Sequence, residues 1–482
     1  MAKLLNKNEL SIDELPDLEK PKRRFFGREK KPEPEEKLPL TSPKSEYFRK
    51  PPKIFVIMYV FFIFAAGMGD WVQINGRFGA ILKAMTVGCI ALAILYFMIY
   101  GESKVLPKIY SFFVLFAIPL LLTLLISLFV WSVNMADMSA VSRGAQKMLF
   151  QFINVAAVLS GAYMFRQAAL RYMFFGLALA NGTMAAIEAA RFGIGASIQS
   201  LVNGIISGGE AIGFMRRMEI ADITFTMGLF MLYFIFIERK RKGTFKWILI
   251  SGFFFLLGFK RIAFAGFAMS LVMWVVLEKR RLKTRIRTVY TVSIMLALFC
   301  FFYVIFIKSG MFIELCAQLN IDVLGRDIIY NYMSNYYEIS PMFMGQGFEY
   351  TVALLQSMIR SGEKLIGVMA IHNDILKQFI ELGFWGFWAW ALFNYVYQIR
   401  WYMRDFGEKA GRLVLAINLY TIITYMTDNT LYYFWMSMAI RMLMISYAFS
   451  DEVKVELEKE QKERGFITPD ELRDFAGDDS LV

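Results

Sequence analysis

Histidine and cysteine are scarce in this chain. There is one histidine, His372, and there are three cysteines among 482 residues. Cys89 and Cys300 fall inside apolar runs and Cys316 follows one, which argues against a disulfide framework or a cysteine metal cluster. A single histidine also excludes a histidine-rich metal site. We therefore predict chemistry that uses neither a metal ion nor another cofactor.

Charged residues are few as well, at 20% of the chain, whereas hydrophobic residues reach 57% and aromatic residues 16%. The mean hydropathy is +0.46. A soluble protein of this length would carry more charge, so the composition indicates a polytopic membrane protein. The net charge is +12, but in such a protein the side on which the charges lie matters more than their sum. We predict no nucleic-acid partner.

Apolar segments of spanning length recur along the chain. The region 247–277 has basic flanks and Lys260-Arg261 in its middle, so we divide it into two short spans that turn at this pair. The prediction is an all-α polytopic membrane bundle of about 12 transmembrane helices, with both termini cytoplasmic and a large external loop between the ninth and tenth spans. The predicted spans are 54–72, 78–100, 109–133, 147–165, 172–190, 220–237, 247–259, 262–277, 288–307, 380–399, 412–427 and 430–448.

The two ends of the chain are polar. The N-terminal end is charged and contains several prolines, which is typical of a disordered tail and unlike a signal peptide. The C-terminal end begins with a charged pattern that predicts a solvated helix. The predicted regions are a cytoplasmic tail at 1–53, nine spans with external arginine sites at 54–308, an external catalytic loop at 309–379, three spans at 380–448 and a cytoplasmic tail at 449–482.

Positive charges on the external side run against the usual distribution. Arg261 stands at the tip of a hairpin whose arms are too short to lift it far into water, so we expect an anionic ligand there. Guanidinium groups suit a diphosphate and stabilise charge that develops on a leaving group. The predicted external cations are Arg191, Arg216, Arg217, Lys260, Arg261 and Arg326, with Arg77, Arg143, Lys308, Arg360 and Lys364 interpreted as solvated loop charges.

The loop before the tenth span holds the only histidine. Asn373 and Asp374 could cap the helix that begins the next span, with His372 at its mouth. An imidazole can take a proton from a sugar hydroxyl, although a structural histidine is the alternative. Glu381 would lie out of phase with His372, so we interpret it as orienting or structural. We interpret Gly383 and Gly386 as positions of close helix packing.

The pattern His372-Asn373-x-x-Leu376…Glu381-x-Gly383-x-x-Gly386, preceded by Gly325-Arg326 and Gly345-x-Gly347, resembles the O-antigen polymerase and O-antigen ligase family of membrane glycosyltransferases. Lys260 precedes Arg261 where that family has a serine-arginine or similar motif, which is a departure. The resemblance implies a GT-C-like helical fold. It also implies a metal-independent, inverting transfer from undecaprenyl-diphosphate-linked glycans on the outer face of the bacterial cytoplasmic membrane.

The same resemblance implies roles for individual residues. Arg261 and Arg326 would hold the diphosphate, and His372 would activate or orient the acceptor hydroxyl. The further residues expected to bind the diphosphate or glycan are Arg191, Arg216, Arg217, Lys260, Asn373 and Tyr330.

Several functions remain open at this point. The first is a polymerase that joins lipid-linked oligosaccharide repeats of a capsule, exopolysaccharide or O-antigen, and the second is a ligase that passes the glycan to another acceptor. A transporter or lipid flippase would need charges lining a path through the bilayer, such as Lys83 or Arg441. A scaffold or receptor would not explain the positive charges on the external side. A metal site at Asp70 or Asp222 is a further alternative. The partners expected are the lipid-linked oligosaccharide, the growing polysaccharide, membrane lipid, and chain-length regulator or flippase proteins of the same pathway.

Overall fold

The computed structural model describes residues 51–72, 79–134, 138–207, 213–218, 221–319, 323, 325–361 and 370–463. Most of the predicted N-terminal tail and the end of the C-terminal tail lie outside these residues, as do Arg77 and Lys364. Within the described ranges the regular structure is helical. The helices are α1 (Lys53–Val72), α2 (Gly79–Tyr100), α3 (Leu106–Val133), α4 (Met138–Phe165), α5 (Ala169–Phe192), α6 (Ile194–Ser207), α7 (Phe214–Met218), α8 (Ala221–Phe236), α9 (Thr244–Gly258), α10 (Arg261–Glu278), α11 (Leu282–Lys308), α12 (Met311–Gln318), α13 (Arg326–Met333), α14 (Tyr350–Arg360), α15 (Asp374–Leu392), α16 (Gln398–Phe406), α17 (Glu408–Tyr425), α18 (Phe434–Ala448) and α19 (Glu452–Glu463).

Several of these helices are suited to a bilayer. Among the described residues, five stretches are long and apolar enough to cross one, and four shorter helices are also apolar. A helical membrane protein is therefore confirmed, while the count of twelve spans stays a prediction. The five stretches are Ala80–Tyr100, Leu106–Val133, Met138–Phe192, Arg261–Glu278 and Leu282–Lys308.

Helix α17 lies at the centre of the bundle and is buried along nearly its whole length. Small residues let helix α10 pack closely against it. A side chain at Gly266 would meet the Tyr420 carbonyl oxygen at 2.9 Å, and the Ser270 hydroxyl donates to the Ala416 carbonyl at 2.8 Å. On another side, the Tyr420 hydroxyl donates to the Phe225 carbonyl of α8 at 2.9 Å. These contacts hold the turn that follows α17 in a defined position.

The predicted external loop at 309–379 is itself partly helical, since it contains α12, α13 and α14. The next helix, α15, begins at Asp374 and not at 380, because its first turn is capped and buried. After Leu392 the helix continues through a π-helical turn, Phe393–Tyr397, directly into α16. The residues before the predicted tenth span thus belong to the packed bundle.

The expectation of a solvated C-terminal helix is wrong for one face of α19. Glu452 forms ion pairs with Lys409 of α17 at 3.3 Å and with Arg241 at 3.2 Å. Glu456 also lies 3.4 Å from Lys409. The acidic face of α19 is complementary to basic side chains at the end of the bundle, so the helix docks there.

Candidate active site

The site begins at the first turn of α15. Asn373 is fully buried, and its side-chain oxygen accepts the Leu376 amide at 3.0 Å, which confirms the predicted cap. Its amide nitrogen lies 3.2 Å from the hydroxyls of both Tyr303 and Tyr330. The Tyr303 hydroxyl in turn donates to the Met426 carbonyl at 3.0 Å. Asn373 therefore links the start of α15 to the turn between α17 and α18, residues 426–433, called here the α17–α18 turn.

His372 stands just outside the cap and faces the same turn. Its backbone has a φ of +49°, a value that non-glycine residues seldom adopt. Its Nδ1 atom lies 3.5 Å from the Asp428 Oδ1 atom and 3.3 Å from the Asn429 side-chain nitrogen. The side chain is 41% exposed, whereas that of Asp428 is 14% exposed. An accessible imidazole thus sits against a shielded carboxylate.

The Asp428 carboxylate is held in its charged form. Burial alone would raise its pKa, but hydrogen bonds from His372 and the Asn429 amide, with the charge of Lys260, keep the pKa below its usual value. The Tyr433 hydroxyl also donates to Oδ1 at 3.2 Å. An ionised Asp428 can only accept hydrogen bonds, which favours a proton on Nδ1 of His372 and leaves Nε2 to act as a base.

Arg326 reaches the α17–α18 turn from the opposite loop. Gly325, with a φ of +76°, precedes α13 and directs the chain into it. The Arg326 Nη2 atom donates to the Thr427 carbonyl at 3.1 Å, one residue before Asp428. Because the guanidinium has five N–H donors, most of them stay available for an anion. Tyr330, one turn further along α13, is the buried partner of Asn373 described above.

The hairpin tip at Lys260-Arg261 approaches the same place. Lys260 lies close enough for its charge to lower the pKa of Asp428, so it belongs to the cluster around His372. Arg261 is the first residue of α10 and is exposed. No described residue forms an ion pair with it, which is consistent with an external anion as its partner.

The other three predicted substrate arginines lie on a different pair of helices. Arg191 lies in the last turn of α5 and pairs with Glu188 of the same helix at 3.0 Å. Arg216 and Arg217 are exposed on α7, which packs against α5. The structure therefore places these arginines on two helices that pack together, whereas His372, Arg326 and Lys260 meet at the α17–α18 turn.

Gly383 has a role that the pattern did not predict. Its φ of +71° interrupts α15, and the Phe384 amide donates to the Phe343 carbonyl at 2.9 Å. The carbonyls of Ile380 and Glu381 instead accept the amides of Gln346 and Gly347, both at 2.9 Å. The Gly345-x-Gly347 segment is thus bonded through its backbone to the break in the helix.

The two glycines of α15 differ in what they pack against. A Cβ at Gly383 would lie 2.3 Å from the Met344 carbonyl carbon, so the prediction of helix packing at this residue is corrected to packing against a loop. A Cβ at Gly386 would lie 2.8 Å from the Ile126 side chain of α3, in agreement with close helix packing.

A buried ion cluster supports the second turn of α15. The Lys377 amine lies 2.6 Å from the Glu349 carboxylate, and the Lys147 amine of α4 lies 2.8 Å from the same oxygen. Burial raises the pKa of Glu349, but the charges of Lys377 and Lys147 overcome this and hold it below its usual range. Glu381 accepts the Thr351 hydroxyl at 2.7 Å and lies 3.9 Å from Lys377. The orienting role predicted for Glu381 is thus compatible with its surroundings.

Asp70 and Asp222 were the two acids considered as alternative metal ligands. Asp222 accepts the backbone amides of Trp435 at 2.9 Å and Met436 at 2.8 Å, so it caps the start of α18. The side chain of Asp70 lies outside the described residues. In the part of the chain that the structure describes, His, Cys, Asp and Glu side chains form no group of three or more that could hold a metal ion.

Sequence reasoning missed Asp428, Glu349 and Lys377. Asp428 falls between the predicted spans 412–427 and 430–448. An acid in a two-residue turn that follows an apolar helix was the one available signal. Glu349 and Lys377 gave none, because their pairing joins segments separated by a loop.

One comparison with known proteins matches this part of the chain. Residues 247–391 match the O-antigen ligase family model, and this range contains His372, Arg326, Arg261 and the break at Gly383. This segment of the chain is similar to the O-antigen ligase and polymerase family. The predicted resemblance is confirmed. The family match indicates a membrane enzyme that transfers glycans. No curated protein matches the chain.

Proposed function

We propose that the protein is a polymerase that joins undecaprenyl-diphosphate-linked oligosaccharide repeat units, for a capsule, exopolysaccharide or O-antigen. The observation that carries this proposal is the pairing of His372 with Asp428 beside Arg326 and Lys260. A base and an anion site within one cluster are the two elements that glycosyl transfer from a lipid diphosphate requires. The family match of residues 247–391 supports the same reaction class.

In the proposed reaction, the Nδ1–H of His372 donates a hydrogen bond to the Asp428 carboxylate, and Nε2 takes the proton of the acceptor hydroxyl. The carboxylate stabilises the imidazolium that results. The hydroxyl oxygen then forms a bond to the anomeric carbon of the donor while the bond from that carbon to the diphosphate oxygen breaks. The leaving diphosphate keeps the electron pair and gains negative charge. Attack from the opposite side inverts the anomeric centre.

The cations of the site would stabilise the negative charge that develops on the leaving diphosphate. Arg326 is oriented by the Thr427 carbonyl, and Arg261 is exposed on the hairpin tip next to Lys260. Preorganised donors lower the barrier because they need no rearrangement when the charge develops. Arg191, Arg216 and Arg217 would contact the glycan or its lipid further from the reacting atoms. We place this chemistry on the outer face of a bacterial cytoplasmic membrane, with both chain termini cytoplasmic.

A ligase is the second candidate, because the matching family model is described as O-antigen ligase. It would use the same diphosphate site and the same base, and it would differ only in the acceptor. A polymerase would further depend on the growing polysaccharide, membrane lipid, and chain-length regulator or flippase proteins of the pathway.

The test is an assay of the purified protein with a lipid-diphosphate oligosaccharide, with and without a chelator. His372→Ala and Arg326→Ala should each lose roughly 10²–10⁴-fold in rate, the range for a missing base or charge-stabilising group. Arg360→Ala, at an exposed arginine of α14, is the matched control and should keep its rate.

The products separate the two candidates. A ladder of lengthened glycans indicates a polymerase, and a single transfer to another acceptor indicates a ligase. Wild-type rates in both site variants would contradict the site, and loss of activity with the chelator would contradict a metal-independent reaction.

A further inference from the structure

Arg441 is an arginine inside a helix of otherwise apolar and small residues, midway along α18. Its Nη1 atom donates to the side-chain oxygen of Asn154 on α4 at 2.5 Å. Asn154 is fully buried and neutral, and its own amide is bound to the Phe434 carbonyl at 3.0 Å. Among the described residues, none forms an ion pair with Arg441. A guanidinium keeps its charge in proteins, so this helix carries a cation without a protein counter-ion.

The Arg441 side chain lines a cavity of about 110 Å³ between α3, α15–α16, α17 and α18. No acidic residue lines it, and the polar groups around it include hydrogen-bond donors. This volume has room for several water molecules and therefore for one small oxyanion. The polar lining residues include Asn394, Gln398, Asn418, Thr421, Ser437 and Arg441.

The cavity walls are irregular on two sides. Asn394 and Tyr395 belong to the π-helical turn between α15 and α16, and such turns occur often at functional sites. On the other side is Pro119, which lies inside α3 and cannot donate a helical hydrogen bond. Gln398 lines the space; its backbone amide donates to the Phe393 carbonyl, but its side chain makes no hydrogen bond with any described residue. These features make the space a built polar cavity within the bundle.

The cavity adjoins the candidate active site through the α17–α18 turn. Leu431 lines the cavity, and its backbone amide donates to the Asp374 carboxylate at 2.7 Å. Asp374 directly follows Asn373, the cap of α15. A ligand in the cavity would therefore lie behind the turn that carries Asp428.

We propose that this cavity binds one phosphate group, with Arg441 as its counter-ion and Gln398 among its hydrogen-bond donors. A tetrahedral oxyanion suits this lining because the planar guanidinium makes paired, charge-assisted bonds to phosphate oxygens. The phosphate belongs either to a lipid headgroup or to free inorganic phosphate. The argument rests on the cavity and not on the proposed glycan transfer.

The test measures thermal unfolding of the purified full-length protein in detergent, with inorganic phosphate or chloride at equal ionic strength. Phosphate should raise the unfolding temperature of the wild type above its value in chloride, because a ligand of the folded state stabilises it. Arg441→Gln should lose this response, and Gln398→Met should reduce it. Arg404→Gln, at a 70% exposed arginine, is the matched control and should respond like the wild type.

A second arm determines the source of the phosphate. Phosphorus that stays with the wild type through delipidation in phosphate-free buffer, and is absent from Arg441→Gln, indicates a lipid headgroup that already fills the site. A response to added phosphate without retained phosphorus indicates the free ion. Either result supports the proposal.

The stability of Arg441→Gln in chloride separates an anion site from a structural contact. If Arg441 awaits an anion, the variant should be at least as stable as the ligand-free wild type, since it loses an uncompensated charge. The comparison applies to wild-type protein that retains no phosphorus, because a retained lipid phosphate would itself stabilise the wild type. In that case, a less stable Arg441→Gln variant would show that Arg441 serves only to bind Asn154, which would contradict the proposal. The proposal would equally fall if the wild type shows neither retained phosphorus nor a response specific to phosphate.

Discussion

The Nδ1 atom of His372 and the Oδ1 atom of Asp428 lie 3.5 Å apart, although α15, α16 and α17 separate the two residues in the chain. The contact joins a loop histidine to the turn after the central helix. It converts an isolated imidazole into a base with an anionic partner, and this pairing makes Asp428 the first residue to test.

We expect Asp428→Asn to lower the turnover number by roughly 10²–10⁴-fold, the range for loss of general-base catalysis. The amide still fits the space, but it no longer stabilises the imidazolium that forms when His372 takes a proton. The measurement is the rate of glycan transfer at saturating donor. Asp405→Asn, on α16 and away from the turn, is the control. An unchanged turnover number for Asp428→Asn would show that His372 works without this partner.

The depressed pKa of Asp428 also predicts a dependence of stability on pH. A carboxyl with a lowered folded pKa stabilises the protein above its unfolded pKa, about 3.9, and loses this effect as the pH falls through the folded value. The difference in unfolding temperature between wild type and Asp428→Asn should therefore shrink as the pH falls below about 4. A difference that grows between about pH 4 and 2 would have the wrong sign and would contradict a depressed pKa.

The buried ion cluster should matter for stability. Glu349→Gln leaves Lys377 and Lys147 close together without the anion between them, so we expect a loss of about 3–5 kcal/mol in unfolding free energy. Glu314→Gln, at an exposed residue of α12, should change it by less than about 0.5 kcal/mol.

A double-mutant cycle with Lys377→Met tests whether the pair acts as a unit. Direct contact predicts an interaction energy above about 0.5 kcal/mol, whereas additive losses would show that the two residues act independently.

The break in α15 predicts different tolerance at two glycines. Gly383→Ala should cost at least about 1–3 kcal/mol from its positive φ alone, and the new methyl would also meet the backbone of Met344. Gly386→Ala should cost about 1 kcal/mol, because the methyl would meet the side chains of Ile126 at 2.8 Å and Leu382 at 3.0 Å but no backbone atom. Thermal unfolding of the two variants checks the order. Equal losses of stability in the two variants would mean that the packing of the loop at 343–347 does not require the break at Gly383.

Much of the architecture could be predicted from composition and local pattern. Long apolar runs indicated membrane helices because a bilayer requires them, and Asn373 before Asp374 indicated a helix start because its side chain accepts the free amides there. The order of glycine, arginine and histidine motifs along 258–386 indicated the family. Local signals of this kind depend only on residues that are near one another in sequence.

The partners of the site residues were beyond such reasoning. Asp428 reaches His372, and Glu349 reaches Lys377, only after helices and loops have packed, and no periodicity reports such a distance. Gly383 was predicted to pack against another helix, because a glycine in an apolar helix usually allows such packing. In the structure it packs instead against the loop at 343–347, which is hydrogen-bonded to α15.

The sequence by itself determined that this chain is a helical membrane protein with a polar, histidine-bearing loop late in the chain, because hydropathy and capping act locally. Only the tertiary structure decided which charges meet. Arg326 and Lys260 approach the α17–α18 turn with His372, whereas Arg191, Arg216 and Arg217 gather on α5 and α7. Charged side chains that are distant in sequence come together only when the helices pack, and this packing depends on the whole fold.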